Sequence, residues 1–406
     1  MEVKNSGKEI IEYFEIMNGA HVRYKGEGGD VVIPDSVNRI WKRAFEFCEN
    51  LTSVIIPNGV TCIEESAFEH CGKLTSITIP DSVTSIGDCA FKNCSALASV
   101  KMGKGVTSIG EKAFNKCQNL SSITIPESVT SIGNSAFGFC NALTSITIPN
   151  GVTSIGKNVF ESCEGLISVA IPRSVTSIGD NSFAGCVSLT SITIPDSVTS
   201  IGKLAFDYCR SLIDLTIPSS VTSIGYRAFG ECFSITSVNL PNNLTDIGEL
   251  AFVGCRKLTS ITIPKSVTTI GENAFGNCGA LGSIMVELGN KRYKAQNDCL
   301  IDKTNNTLIL GCKNSVIPNG VTRIGDYAFN GCECLTNIDL PNSVTSIGEG
   351  AFEMCSALTS VTIPDSVISI GMGAFSDCSL SAVSVGKDCE VADSAFDNGC
   401  DVIRRL

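Results

Sequence analysis

A phenylalanine returns at one unvarying interval, at Phe45, Phe68, Phe91, Phe114, Phe137, Phe160, Phe183, Phe206, Phe229, Phe252 and Phe275. After a longer gap it resumes at Phe329, Phe352 and Phe375 with the same interval, and it closes at Phe396. Its neighbours return with it. The clearest copy runs Leu74-Thr75-Ser76-Ile77-Thr78-Ile79-Pro80-Asp81-Ser82-Val83-Thr84-Ser85-Ile86-Gly87, then Asp88-Cys89-Ala90-Phe91-Lys92-Asn93-Cys94. Self-similarity at a fixed spacing of this length is the signature of a solenoid. A single coil has too few apolar side chains to offset the entropy of ordering its own backbone, so stability must come from coils stacked in register.

The spacing within a copy predicts its local structure. Ile77 and Ile79 alternate with Ser76 and Thr78, as in a short strand with one buried face. Pro80 ends that strand and presets a turn, and all 13 prolines of the chain occupy this slot. Val83 and Ile86 form a second apolar pair, followed by Gly87, where a positive φ is expected. Ala90, Phe91 and Cys94 are then expected on one side of a helical turn. The glycine slot is filled in 12 of 15 copies; the exceptions, Trp41, Glu64 and Ala392, lie in the first two coils and the last, where a stack must be capped against water.

The organisation read from this is a β-hairpin cap (1–33), repeats of constant length (34–278), a hairpin-containing interruption (279–316), and further repeats with a C-terminal cap (317–406). In the first segment Tyr13-Phe14-Glu15-Ile16 and His21-Val22-Arg23-Tyr24 flank the turn spelling Asn18-Gly19. Gly26-Glu27-Gly28-Gly29 reads as a plain turn, since no phosphate-loop lysine or helix follows it. In the interruption, two apolar runs flank the polar stretch Asp302-Lys303-Thr304-Asn305-Asn306-Thr307 and predict a hairpin projecting from the stack. Lys291-Arg292-Tyr293-Lys294 is a basic cluster in an otherwise acidic chain, open to reading as a partner contact or as a solvated loop.

The net charge of −11 argues against nucleic-acid or anionic-membrane partners. No apolar run approaches a membrane span. Met1–Gly7 has no apolar signal core, so the chain as it stands reads as cytoplasmic, or as cell-surface or secreted if a leader has been removed. Of 21 cysteines, 14 stand three residues after the repeat phenylalanine, from Cys48 to Cys378. That regularity predicts a column of reduced thiols acting as small buried hydrophobes. The remaining cysteine spacings fit no zinc template.

The spelling Leu-x-x-Ile-x-Ile-Pro-x-x-Val-x-x-Ile-Gly-x-x-Ala-Phe-x-x-Cys, as in Leu143 to Cys163 with Val159 in the alanine slot, resembles the Treponema-type, or BspA-like, leucine-rich repeats over about residues 31–400. The resemblance implies a repeat solenoid, mainly β with short helical turns: a curved, right-handed stack of about 15 coils with a sheet-lined face for protein recognition. Some members of that family are surface proteins that bind host matrix proteins and promote adhesion. The interruption looks like a variant unit of the same family. The family shares no catalytic residues, and none are carried over.

The residues themselves point away from catalysis. Of the two histidines, His21 falls in the cap, and His70 occupies a variable position beside Cys71, which belongs to the repeating column. No Walker loop, metalloprotease helix or serine elbow is spelled. No catalytic, cofactor-binding or metal-ligating residue is assigned.

The candidate binding residues are those between the two isoleucines of the first strand: Thr78, Lys101, Thr124, Thr147, Thr193, Thr216, Asn239, Thr262, Asp339 and Thr362, with Ala170 and Ser384 in the same row. Arg292 and Tyr293 of the interruption are added as a second candidate surface. Two classes of function fit. One is a non-enzymatic module that binds a protein, such as an extracellular-matrix or cell-surface protein, or a glycan. The other is a structural spacer or self-associating solenoid with no ligand site, in which threonine simply suits an exposed strand.

Overall fold

A computed structural model describes residues 8–11, 13–17 and 21–405, which form two compact units divided after Arg210. Each unit is a β-solenoid, and among the described residues there is no helix. Most regular coils contribute two short strands, one on each side of the turn that usually begins with Pro; the coil of Ile192–Ile194 keeps only the second. Equivalent strands of neighbouring coils pair in parallel and in register within a set of short ladders, as in Ser76↔Ser99 and Ser85↔Ser108.

In the first unit the chain opens with an antiparallel meander of Lys8–Ile11, Phe14–Met17 and His21–Tyr24. The last of these adds in parallel to Arg39–Ile40 and so starts the second-strand ladder. The Asn18-Gly19 turn lies outside the described residues. Tyr24 stacks on Phe45 with centroids 5.1 Å apart, giving the first coil the ring it would otherwise lack.

From Phe45 to Phe206 the repeat phenylalanines form one column, with neighbouring centroids 4.8–5.7 Å apart and planes within 16°. They are buried completely. The return segment carrying each ring is a run of tight turns rather than the expected helical turn. Successive N–H groups alternate between the following coil and their own coil. Cys89, Phe91 and Asn93 donate to Glu111, Ala113 and Asn115 of the next coil, while Ala90, Lys92 and Cys94 donate three residues back. A helix would keep all these bonds internal and leave the coil unpaired.

This alternation needs a left-handed residue on either side of the ring, at Cys89 (φ 55°) and Asn93 (φ 60°), and it recurs along the stack. The positive φ therefore falls at these two positions and not at Gly87, as the spacing suggested. Gly87 is required for a different reason: a Cβ there would lie 2.6 Å from the Glu64 carbonyl carbon of the preceding coil. The same holds at Gly133, where a Cβ would lie 2.4 Å from the Glu111 amide nitrogen.

The other recurrent residues bind coil to coil. Ser82 donates its hydroxyl to the Val60 carbonyl at 2.6 Å, and Thr84 donates to Thr61 at 3.1 Å. The cysteines do more than fill space. Cys94, Cys117, Cys140 and Cys163 each donate S–H to the carbonyl of the phenylalanine 26 residues earlier, at 3.1–3.2 Å. All 21 cysteines are thiols, and burial pushes that of Cys163 up to about 12.

In the second unit the rings form two runs, Phe229–Phe252–Phe275 and Phe329–Phe352–Phe375–Phe396. Between them lies one enlarged coil. Its first strand, Ser283–Val286, continues the ladder from Ser260–Ile263. Then Tyr293–Gln296, Cys299–Asp302 and Thr307–Leu310 form an antiparallel meander, and the last strand adds in parallel to Arg323–Ile324. The interruption thus lies within the second-strand sheet and does not project from the stack: Cys299–Asp302 is buried at all four positions, because its apolar side chains pack on the next coil.

Gly311 takes the phenylalanine place of this coil. Its N–H donates to the Ala328 carbonyl, as Phe91 donates to Ala113. It stands three residues after Leu308, where a regular coil takes five from Ile86 to Phe91. A Cβ at Gly311 would lie 2.0 Å from the Phe329 ring, so only glycine fits against that face. At the far end Arg405 caps the stack, donating to the Ile363 and Ser384 carbonyls.

Four measurements test these assignments. Gly133→Ala should lose about 2 kcal/mol or more in urea unfolding, because backbone must move to admit the methyl group. Ser135→Gly, at φ 56°, should change stability by less than about 0.5 kcal/mol. Ser182 fills an alanine slot with a fully buried hydroxyl that has no partner, so Ser182→Ala should raise stability by about 1–3 kcal/mol. Thiol labelling should modify the exposed Cys334 in the native protein and the buried column only on unfolding.

Candidate functional site

The first strand of a coil is held by two aliphatic side chains, most often isoleucine, which point inward and leave the residue between them facing solvent. In the first unit Ile77 and Ile79 are buried, and Thr78, Lys101, Thr124, Thr147, Ala170 and Thr193 are exposed. In the second unit Thr216, Asn239, Asp339 and Thr362 are exposed and Thr262 is half-buried. Within each unit, parallel pairing sets these residues side by side, as in Thr78↔Lys101, Thr147↔Ala170, Thr216↔Asn239 and Asp339↔Thr362.

These threonines differ from the other threonine row. Thr84, Thr107 and Thr176 of the second strand spend their hydroxyls on the carbonyls of the preceding coil. Among the described residues, no such bond engages the hydroxyls of Thr78, Thr124, Thr147 or Thr193. They are donors and acceptors held on a rigid ladder with no task inside the fold.

Two groups of side chains on this face escaped the sequence reading. Val32 and Ile55 occupy the same row as Thr78 and are 63% and 61% exposed, set opposite each other by the parallel pairing of Gly29–Val32 with Leu51–Ile55. In the second unit Met285, paired with Thr262, and Val316, two residues before Pro318, continue the row and are 49% and 63% exposed. Leu288, beside them on the turn that follows Ser283–Val286, is 97% exposed. Stepping back from Thr78 by one repeat and then another would have found Ile55 and Val32. Met285 and Val316 sit where the repeat spelling is broken and had no such signal.

Arg292, which stays exposed, and Tyr293, which is buried, are both bonded within the fold. In a regular coil the carbonyl of the second-strand threonine accepts from the next coil, as Thr84 accepts from Thr107. The enlarged coil brings no equivalent strand beside Thr268. Arg292 Nη1 donates to the Thr268 carbonyl at 2.8 Å, and the Tyr293 hydroxyl accepts the Ile270 N–H at 3.1 Å. Asn290 likewise donates to the Pro264 and Val267 carbonyls. Tyr293 is buried, and Arg292 is tied to Asp302 at 3.0 Å. These side chains close a sheet edge, and Tyr293 is not available to a partner.

The His70–Cys71 pair is divided between separate partners. His70 stacks on Phe47 with centroids 4.5 Å apart, and the Cys71 thiol donates to the Phe45 carbonyl. Among the described residues no group of three or more potential metal ligands occurs, and no helix is long and apolar enough to cross a membrane.

The pattern of the BspA type leucine-rich repeat region matches residues 24–141, 97–213, 176–305 and 309–404. Among solved structures, a leucine-rich repeat protein from Bacteroides ovatus is similar at 28% identity and a TM-score of 0.68, over 98% of this chain and 99% of that one. A leucine-rich repeat protein of T. pallidum shares 32% identity over 42% of this chain and 83% of that one, with a TM-score of 0.40. A leucine-rich cell surface protein from Faecalibacterium prausnitzii shares 26% identity over 100% of this chain and 95% of that one, also at 0.40. Among curated proteins, none matches the chain. A repeat of this spelling, folded into coils bonded phenylalanine to alanine and cysteine to phenylalanine, makes the chain a member of the BspA-type leucine-rich repeat family.

Proposed function

We propose that the chain is a non-enzymatic protein-binding scaffold that engages its partner with the first-strand face. The observation that carries this reading is the exposure of Val32 and Ile55 in one unit, and of Met285 and Val316 in the other, on a face otherwise built mostly of threonine, with Leu288 exposed on the adjoining turn. Folding gains nothing from leaving large aliphatic side chains half or more in water, and contiguous apolar exposure marks contact surfaces. Methionine adapts its shape to a partner, and unbonded threonine hydroxyls around such anchors supply the polar rim of an interface. A spacer with no ligand would have no use for either feature. Attachment to an extracellular-matrix or cell-surface protein is the adhesion role that this reading accommodates, with Thr78, Lys101, Thr124, Thr147 and Thr193 as contacts in the first unit. Thr216, Asn239, Thr262, Asp339 and Thr362 would serve in the second.

The test is binding to a panel of immobilised matrix and cell-surface proteins. The double variant Thr147→Glu, Thr193→Glu and the variant Ile55→Asp should each weaken capture by about tenfold or more, with unchanged melting temperature. Tyr293→Phe should cost about 1–3 kcal/mol of stability by removing an edge-closing hydroxyl, and leave binding intact. Undiminished capture by both face variants would refute the assignment.

A further inference from the structure

The second unit ends on a strand with an open edge. Asp401–Arg404 pairs in parallel with Ala382–Val385, and among the described residues no strand lies on its other side. The register carries the repeat rows forward. Val402 and Arg404 stand in the two inward rows beside Val383 and Val385, and Ile403 stands in the threonine row beside Ser384. Val383 and Val385 are buried, yet Val402 is 41% exposed, because no described coil covers it. Ile403 is 55% exposed. The ring column stops here too: among the described residues Phe396 has a ring neighbour only in Phe375, at 5.0 Å, and it is half-buried where Phe352 and Phe375 are buried.

The strand is held firmly at its inner side. Arg405 donates to the Ile363 and Ser384 carbonyls and pairs with Asp365 at 2.7 Å, and Arg404 donates to the Cys389 carbonyl at 2.8 Å. Backbone bonds from Asp401 to Ser381 and from Arg405 to Val385 fix which residues face the stack. Alternate residues of a strand bond to opposite sides, so Val402 and Arg404 present their N–H and C=O groups at the outer edge. A fixed edge with open donors, open acceptors and exposed aliphatic side chains is a template for another strand.

We propose that this edge pairs antiparallel with the same edge of a second copy of the chain, about a two-fold axis at Ile403. The sequence is self-complementary in that register. Val402 exchanges both backbone bonds with Arg404 of the second copy, and Arg404 does the same with Val402, so every outward N–H and C=O of the strand is used. Ile403 lies opposite itself in the closer, non-hydrogen-bonded position, apolar against apolar. Asp401 falls opposite Arg405, acid facing base. Neighbouring registers are poorer. A centre at Val402 sets Asp401 against Ile403 and calls on the Cys400 N–H, which is spent on Asp397; a centre at Arg404 sets that arginine against itself. Two-fold pairing closes the assembly at two copies. The contact is made by the strand edge and does not rest on the partner proposed for the threonine face.

Sedimentation velocity of the whole chain over a concentration series should show a reversible monomer–dimer equilibrium and no larger species. Val402→Pro removes an outward N–H that the fold does not use, and Ile403→Lys sets like charges opposite each other at the axis. Each should weaken dimerisation about tenfold or more, with the melting temperature of the dilute chain unchanged. Ile403→Cys reads the register directly: mild oxidation should link two copies through position 403, located by peptide mapping, whereas Ser384→Cys, one strand further in, should form no such link. A monomer at every concentration, growth beyond the dimer, dimerisation that survives both Val402→Pro and Ile403→Lys, or no link through position 403 would overturn the proposal.

Discussion

Each coil is fastened to its neighbours at the repeat phenylalanine, through three contacts made by one residue. The ring stacks on the rings before and after it, the N–H donates to the alanine carbonyl of the next coil, and the carbonyl accepts the thiol of the next coil's cysteine. Since the ring is fully buried, neither hydrogen bond competes with water, and loss of either would leave a buried polar group unsatisfied. The left-handed residues on each side of the ring, the tight turns between them and the glycine that lets backbones approach all follow from keeping that residue in register. The two strands of the coil are secondary to it. They are two to five residues long in the regular coils, too short to hold a sheet together without the stack.

The enlarged coil shows what the fastening requires when the phenylalanine is missing. The backbone bonds are kept by Gly311, and the stacking is given up, because its flat Cα rests directly on Phe329. The sheet edge left open at Thr268 and Ile270 is then closed by side chains, with Asn290, Arg292 and Tyr293 standing in for a strand. Of the basic cluster, Arg292 is in this way bonded to the fold while its side chain, like Lys291 and Lys294, stays exposed. Exposed aliphatic side chains lie elsewhere, at Met285 and Val316, which stand in the threonine row, and at Leu288 on the neighbouring turn.

The face carrying Thr78 and the row carrying Thr84 look alike in sequence and differ in chemistry. Both are threonine repeated at the coil interval beside buried isoleucine or valine. The second-strand row sits close enough to the preceding coil for its hydroxyls to reach a carbonyl. The first-strand row alternates between two isoleucines and is turned fully outward. The proposed binding face is therefore built on the row whose hydroxyls have no structural use.

The sequence by itself determined the solenoid, the length of the coil, the two strands and the buried rows, because each is a periodic property that any one copy reveals and fourteen others repeat. It placed the threonines outward through simple alternation around Ile77 and Ile79. It could not assign the positive φ, because Gly87 and Cys89 are both compatible with a turn, and only the approach of Glu64 in the preceding coil shows which of them needs to lack a Cβ. Nor could it show that cysteine was selected for its proton as well as its size, since the accepting Phe carbonyl is 26 residues away. The bonds made by Arg292 and Tyr293 were decided by tertiary structure alone. They depend on where one irregular coil leaves a ladder unfinished, and contacts between residues that occur only once in a chain have no period from which to be read.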